Sequence, residues 1–200
     1  MKPLSLLSAV AALILAGCAT TPAASPQDAF WQELSRHCGK AYAGRLVSNE
    51  ASDADMRGAA MVMHVRECSA NRIAVPFHVR RADGSWDRSR TWLITRTPAG
   101  LRLKHDHRHE DGTPDSMTLY GGDTASGGTA AAQDFRVDAE SIALFKAEGR
   151  TVSITNVWRV EVDPARFAYQ LTRQPPNARL FRVEFDLTRP VPAPPAPWGH

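Results

Sequence analysis

From Tyr42 to Leu187 the chain is written in short segments whose apolar, β-branched or aromatic residues alternate with polar ones, each bounded by Gly, Pro, Asp or Asn. A period of two puts successive side chains on opposite faces, so each segment reads as a β-strand. Nine strands are predicted, over residues 41–48, 60–68, 72–80, 88–96, 101–110, 115–121, 151–162, 166–173 and 179–188. The connections between them are short and mostly hairpin-like, which favours an antiparallel meander over a parallel sheet that needs crossover helices.

Two helices accompany the strands. Ser25 is placed to cap the first, Pro26 suits its first position, and Asp28 stands where a capping box carries an acid. Phe30, Trp31 and Leu34 fall on one face of this helix, which ends near Gly39 and reads as a plug or clasp. Asp138 caps the second, a run with Ile142, Leu144 and Phe145 that Gly149 ends. Residues 121–132 read as a flexible Gly, Ala, Ser and Thr loop, without the Gly-Lys-Ser/Thr ending of a phosphate-binding loop. The tail carries prolines at 190, 192, 194, 195 and 197 and ends in Trp198, as a free arm or a docked strap. The expected class is a mainly β, single antiparallel up-and-down barrel of the lipocalin-like kind, with a β-sandwich as the alternative.

The start of the chain reads as an address. Met1 and Lys2 are followed by an apolar run over residues 4–16, well short of the roughly 20 residues a spanning helix needs. Leu15, Ala16, Gly17 and Cys18 resemble the bacterial lipobox. That resemblance implies cleavage before Cys18, lipidation of Cys18, and a signal peptide over 1–17. A tether over 18–27, a barrel domain over 28–189 and a tail over 190–200 complete the organisation. More than one acyl chain gives stable anchoring where one gives only marginal binding. The expected location is the cell envelope, with Ala19 after the cysteine pointing to the outer membrane, facing the periplasm. Cys38 and Cys68 are then an even pair in an oxidising compartment, where pairing is the default and two separate thiols the alternative. The formal charge of +3 comes from 24 basic and 21 acidic residues interleaved along the chain. No basic patch of the kind that binds nucleic acid results.

Arg90-Thr91-Trp92, the run from Lys104 to Gly112 that contains His105, His107 and His109, and Tyr120-Gly121-Gly122-Asp123-Thr124 resemble a group of uncharacterised bacterial secreted proteins and lipoproteins. The resemblance spans most of the mature chain and implies a location rather than an activity. Lipocalins proper carry Gly-x-Trp on the first strand, where this chain has Tyr42 and Gly44.

One constellation invites chemistry. His105, His107 and His109 alternate on one strand and share a face with Leu101 and Leu103, which marks it as inward. A four-residue turn over 97–100 pairs Arg96 with Leu101, Ile94 with Leu103, Trp92 with His105, Arg90 with His107 and Arg88 with His109. A turn through Asp111 to Pro114 pairs Glu110 with Asp115 and sets Ser116, Thr118 and Tyr120 opposite His109, His107 and His105. The opposite face, with Arg102, Lys104, Asp106, Arg108 and Glu110, reads as solvated.

Three readings of the wall stay open. It is a structural polar cluster or solvated rim, a pocket for a polar or amphipathic ligand lined by Arg90, Trp92, His105, His107, His109, Thr118 and Tyr120, or a metal site. Three alternating histidines span about 13 Å, so a metal on His105 and His107 needs further ligands such as His64, His78 or Glu67. Arg90 beside His107 works against a second cation. No Gly-x-Ser-x-Gly, His-Glu-x-x-His or activated cysteine is present. The expectation is a membrane-anchored, non-enzymatic binding or structural module without a cofactor, with a metal-binding protein or metalloenzyme as the alternative.

Overall fold

A computed structural model describes residues 24–200. The expected signal peptide, the lipidation site Cys18 and most of the tether lie outside the described residues. Eleven strands form one antiparallel sheet: β1 Ala41–Leu46, β2 Met61–His64, β3 Glu67–Cys68, β4 Arg72–Arg80, β5 Trp86–Thr97, β6 Gly100–His107, β7 Tyr120–Thr124, β8 Ala132–Val137, β9 Val157–Val162, β10 Arg166–Arg173 and β11 Arg179–Val191. They pair in the order β2-β1-β11-β10-β9-β8-β7-β6-β5-β4-β3, and β2 also pairs with β4. That last ladder closes ten strands into an up-and-down barrel with β3 as an extra strand, and it disposes of the sandwich alternative.

The differences from the nine expected strands have local causes. The segment over 60–68 breaks into β2 and β3 because its pairing with β4 slips by one residue, from Met63↔Phe77 to Glu67↔Ala74. Residues Thr151–Thr155 wind into a 3-10 turn before β9 begins. Strand β8 is new, and its inward position 133 is a glutamine, which hides the alternation. Gln133 is fully buried, and its Nε2 is satisfied by the carbonyls of Gly127 and Thr129 at 3.1 and 2.8 Å. Gly121 and Gly122 belong to β7 rather than to a loop. A Cβ would stand 1.9 Å from the Leu103 carbonyl oxygen at Gly121 and 1.8 Å from that of Arg136 at Gly122. These glycines let β7 approach both neighbours closely.

Helix α1, Pro26–Ser35, starts as expected: the Ser25 hydroxyl accepts from the Asp28 amide at 3.1 Å. Its buried Phe30, Trp31 and Leu34 join the core and plug one barrel end. Gln27 donates to the Thr124 hydroxyl at 3.0 Å, and Arg96 pairs with Asp28 at 2.6 Å while lying over Trp31. Helix α2, Ala139–Ala147, capped by Asp138, carries Phe145 against the other end. Cys38 and Cys68 are joined, with Cα atoms 6.2 Å apart, tying the chain beyond α1 to β3.

Strand β11 runs on through Pro190 and Val191, which pair with Tyr42 and Ala41. The remaining tail is a docked strap. The Trp198 amide donates to the Arg88 carbonyl at 3.1 Å, Arg88 donates back to the Ala196 carbonyl at 2.8 Å, and His78 meets the Pro195 carbonyl at 3.0 Å. Trp198 is nearly buried, with the Arg81 guanidinium 5.2 Å from its ring.

Candidate ligand-binding site

The β5–β6 register is the expected one: Arg96↔Leu101, Ile94↔Leu103, Trp92↔His105 and Arg90↔His107. On the other flank Tyr120 faces His105. These pairs bring Arg90, Trp92, His105, His107 and Tyr120 to the inner surface, near the barrel end away from α1.

His109, Thr118, Ser116 and Arg88 do not join them. The hairpin after β6 is tighter than expected: the His109 amide donates to the Thr113 carbonyl at 2.9 Å, and Arg108 bridges Pro114. The surplus residues 115–119 leave the ladder as a loop, with Met117 packed back against the core, and return through Leu119 at φ 55°. His109 and Ser116 are therefore exposed. Thr118 accepts from the His107 amide at 2.8 Å and bonds Asp106 at 3.3 Å on the outer side. Arg88 turns outward because pairing of β4 with β5 slips by one residue between Phe77↔Arg90 and Val79↔Asp87. Asp106, expected to be solvated, is buried beneath Arg108 and His200, both at 2.9 Å.

The inner groups form a hydrogen-bonded aromatic cluster. His105 is 3 % exposed, and its Nδ1 donates to the Tyr120 carbonyl at 3.0 Å. That fixes the neutral tautomer, so Nε2 accepts from the Tyr169 hydroxyl at 2.7 Å. Burial pushes the His105 ring down to about 3, with His107 adding to the effect. His107 lies 3.2 Å from the Tyr120 hydroxyl, and burial, reinforced by Arg90, pushes it down to about 4. Burial raises Tyr120 to about 12 and Tyr169 well above the usual range. Both imidazoles and both phenols are thus neutral at ordinary pH, and the charges at the cluster are the Arg90 guanidinium and the Asp87 carboxylate that one of its nitrogens meets at 2.5 Å. Its remaining N–H donors meet no partner among the described residues. Trp92 stacks on Tyr169 with ring centroids 4.4 Å apart, and Phe77 stacks on its other side at 5.0 Å.

These groups line a cavity of about 140 Å³, closed by Met56, Leu171 and Phe181. Met56 comes from a 3-10 turn, Ala51–Met56, held down by Arg179, which pairs with Glu50 at 2.6 Å and with Asp53. His107, Tyr120, Tyr169 and Leu171 also wall a cleft of about 290 Å³ that opens toward α2, where Phe145, Arg150, Ser153 and Asn156 lie. A larger hollow of about 460 Å³ lies outside the barrel where β11 bulges away from β1. The inner cavity is the better candidate, because it is where apolar walls and convergent polar groups meet.

Sequence reasoning missed Tyr169, Asp87, Trp158 and Leu171. Tyr169 stands at an inward position of β10 between Phe167 and Leu171, which the alternation exposes, but nothing local says that β10 lies across from β6. The metal donors are not brought together. Both His105 nitrogens are occupied, His64 alternates outward from buried Met61 and Met63, His78 is covered by the strap, and Glu67 pairs with Arg72 at 2.9 Å. Among the described residues no three His, Cys, Asp or Glu side chains are grouped to hold a metal ion. No protein-family model, curated protein or solved structure matches the chain at a significant level.

Proposed function

We propose that this protein is a lipid-anchored module of the bacterial cell envelope that binds a small amphipathic ligand in the mouth of its barrel. The observation that carries this reading is Arg90: a part-buried guanidinium that spends one nitrogen on Asp87 and keeps further donors unused, facing a chamber walled by Trp92, Tyr169, Phe77 and Phe181. Donors in such surroundings gain most from an anionic partner, and the neutral histidines bring no competing charge. The apolar end of the chamber suits the body of the same molecule. His105 has no nitrogen free for proton transfer, which favours binding over catalysis. The lipobox-like run ending in Cys18 and the joined Cys38 and Cys68 support an exported, anchored protein.

Native mass spectrometry of the full chain, extracted from its bacterial membranes in mild detergent, tests this. The expected result is a small-molecule adduct on the wild type that Arg90→Ala loses, with an affinity loss of about 10- to 150-fold from the charge-assisted bonds removed. Bare protein in both preparations would return the cluster to a purely structural role. Cys18→Ser is expected to release the chain to the soluble fraction, and retention in the membrane would remove the anchoring part.

A further inference from the structure

Strand register divides the Arg90 cavity into two levels. Trp92 faces His105, His105 faces Tyr120, and the Tyr169 ring stacks on Trp92, so these rings make a floor. Arg90, His107 and Leu171 each stand two residues farther along their strands toward the open end, about 7 Å above that floor. Strand β10 lies five places from β5 in the ring of ten, directly across it. The upper level therefore has the guanidinium on one side and Leu171, with its pair Phe181, on the other, and Met56 closes it. His107, Tyr120, Tyr169 and Leu171 line both this room and the outer cleft and so partition them.

Size and chemistry narrow what enters. The room measures about 140 Å³, and an apolar cavity of about 150 Å³ takes one benzene ring. A second fused ring or a long acyl chain does not fit. The walls are ring edges and faces, and a flat aromatic body returns the edge-to-face contacts that an aliphatic one cannot. The Arg90 side chain is 28 % exposed, so its remaining donors are open to a ligand. Other guanidiniums of this molecule serve two carboxylates at once: Arg179 holds Glu50 and Asp53, and Arg182 holds Glu161 at 2.8 Å and Glu184 at 2.9 Å. Among the described residues Arg90 holds Asp87 alone. A ligand carboxylate would stand to Asp87 as Glu184 stands to Glu161. Resting on the binding reading above, we infer that the ligand is a carboxylate bearing a single aromatic ring, its head on Arg90 and its ring over the Trp92 and Tyr169 floor.

The test is calorimetric titration of the full chain, in mild detergent, with phenylacetate, phenylacetamide, cyclohexylacetate and 2-naphthylacetate. Phenylacetate is expected to bind best, by about tenfold over the uncharged amide. It should lead cyclohexylacetate by about two- to tenfold and the two-ring acid by at least about tenfold. Arg90→Ala should bring acid and amide to parity, and Arg90→Met, which keeps the side chain's length, should do the same. Phe181→Ala enlarges the room and should narrow the gap between one ring and two. An unchanged gap in that variant would overturn the inference. So would cyclohexylacetate or naphthylacetate binding the wild type as tightly as phenylacetate, with both weakened by Arg90→Ala, a result that leaves the pocket standing. Failure of all four compounds to bind, while the native adduct still depends on Arg90, would overturn it as well. Phenylacetate binding that Arg90→Ala leaves untouched would remove the pocket reading itself.

Discussion

The Tyr169 hydroxyl donates to Nε2 of His105 at 2.7 Å, joining strands four places apart around the ring of ten. The other imidazole nitrogen is held by the Tyr120 carbonyl, so His105 spans the interior as a strut with no donor or acceptor left over. In the proposed binding role, recognition then falls to its neighbours Arg90, His107 and Tyr120, which stand beside this strut.

Tyr169→Phe keeps the ring that stacks on Trp92 and removes the proton His105 accepts. The buried Nε2 loses its partner, at a cost of about 1–3 kcal/mol. A chain of this size should then melt lower by about 2–4 °C per kcal/mol. An unchanged melting temperature would show that the strut bears no load.

Acid should destabilise the fold in a definite window. The unfolded imidazoles titrate near 6.5, whereas His105 and His107 are held down to about 3 and about 4. Between these values the unfolded chain binds protons the folded chain does not, so stability rises with pH and falls on acidification, by about 1.4 kcal/mol per pH unit for each histidine. His37 and His78, which are buried, and the partly buried His64 are also lowered and add in the same direction. Glu161, which its Arg182 bond lowers to about 2, loses its contribution only below about 4.5. Denaturant titrations from pH 7.5 to 4.5 should show the slope, and His107→Gln should remove one histidine's share. A flat profile in the wild type would contradict neutral burial.

Much of this architecture was legible because period two and turn length act locally. The four-residue turn before Leu101 fixed which side of β5 faces His105, and so placed Arg90 and Trp92 correctly. Arg88 is turned outward for the complementary reason: a bulge costs one extra residue, leaves no mark in composition, and reverses every side chain beyond it. His109 leaves the wall because the tighter turn ends β6 at His107. Tyr169 was out of reach because closure of the barrel, a long-range event, is what brings β10 to β6. Asp106 likewise looked solvated until the strap that covers it was in place.

Gly121→Ala and Gly122→Ala should each prevent normal folding. The added methyl would meet the Leu103 or Arg136 carbonyl oxygen at under 2 Å, and backbone on both sides of β7 leaves nothing flexible to yield. A loss of more than about 3 kcal/mol is expected, read as insoluble expression or a strongly lowered denaturant midpoint. Native-like melting of either variant would mean that β7 does not sit this close.

Reduction of the Cys38–Cys68 link should cost about 3–4 kcal/mol, since the crosslink closes a loop of 30 residues in the unfolded chain. The denaturant midpoint with and without reductant measures it. Cys38→Ser/Cys68→Ser should match the reduced wild type and no longer respond to reductant.

Deletion of residues 192–200 should uncover a buried histidine. His78 is fully buried, its Nε2 donates to the Pro195 carbonyl, and burial holds its ring below the usual value. Without the strap the outer face of β4 and β5 meets water, the desolvation that lowers His78 is relieved, and its titration should move up toward 6.5. Trp198→Ala, which removes the ring flanked by Arg81 and Arg88, should produce part of that shift and cost about 3–5 kcal/mol. Histidine ring resonances followed by NMR from pH 4 to 8 separate His78 from the inner pair, because His105 and His107 should keep their low values in both variants. If His78 titrates identically with and without the tail, the strap is not what buries it.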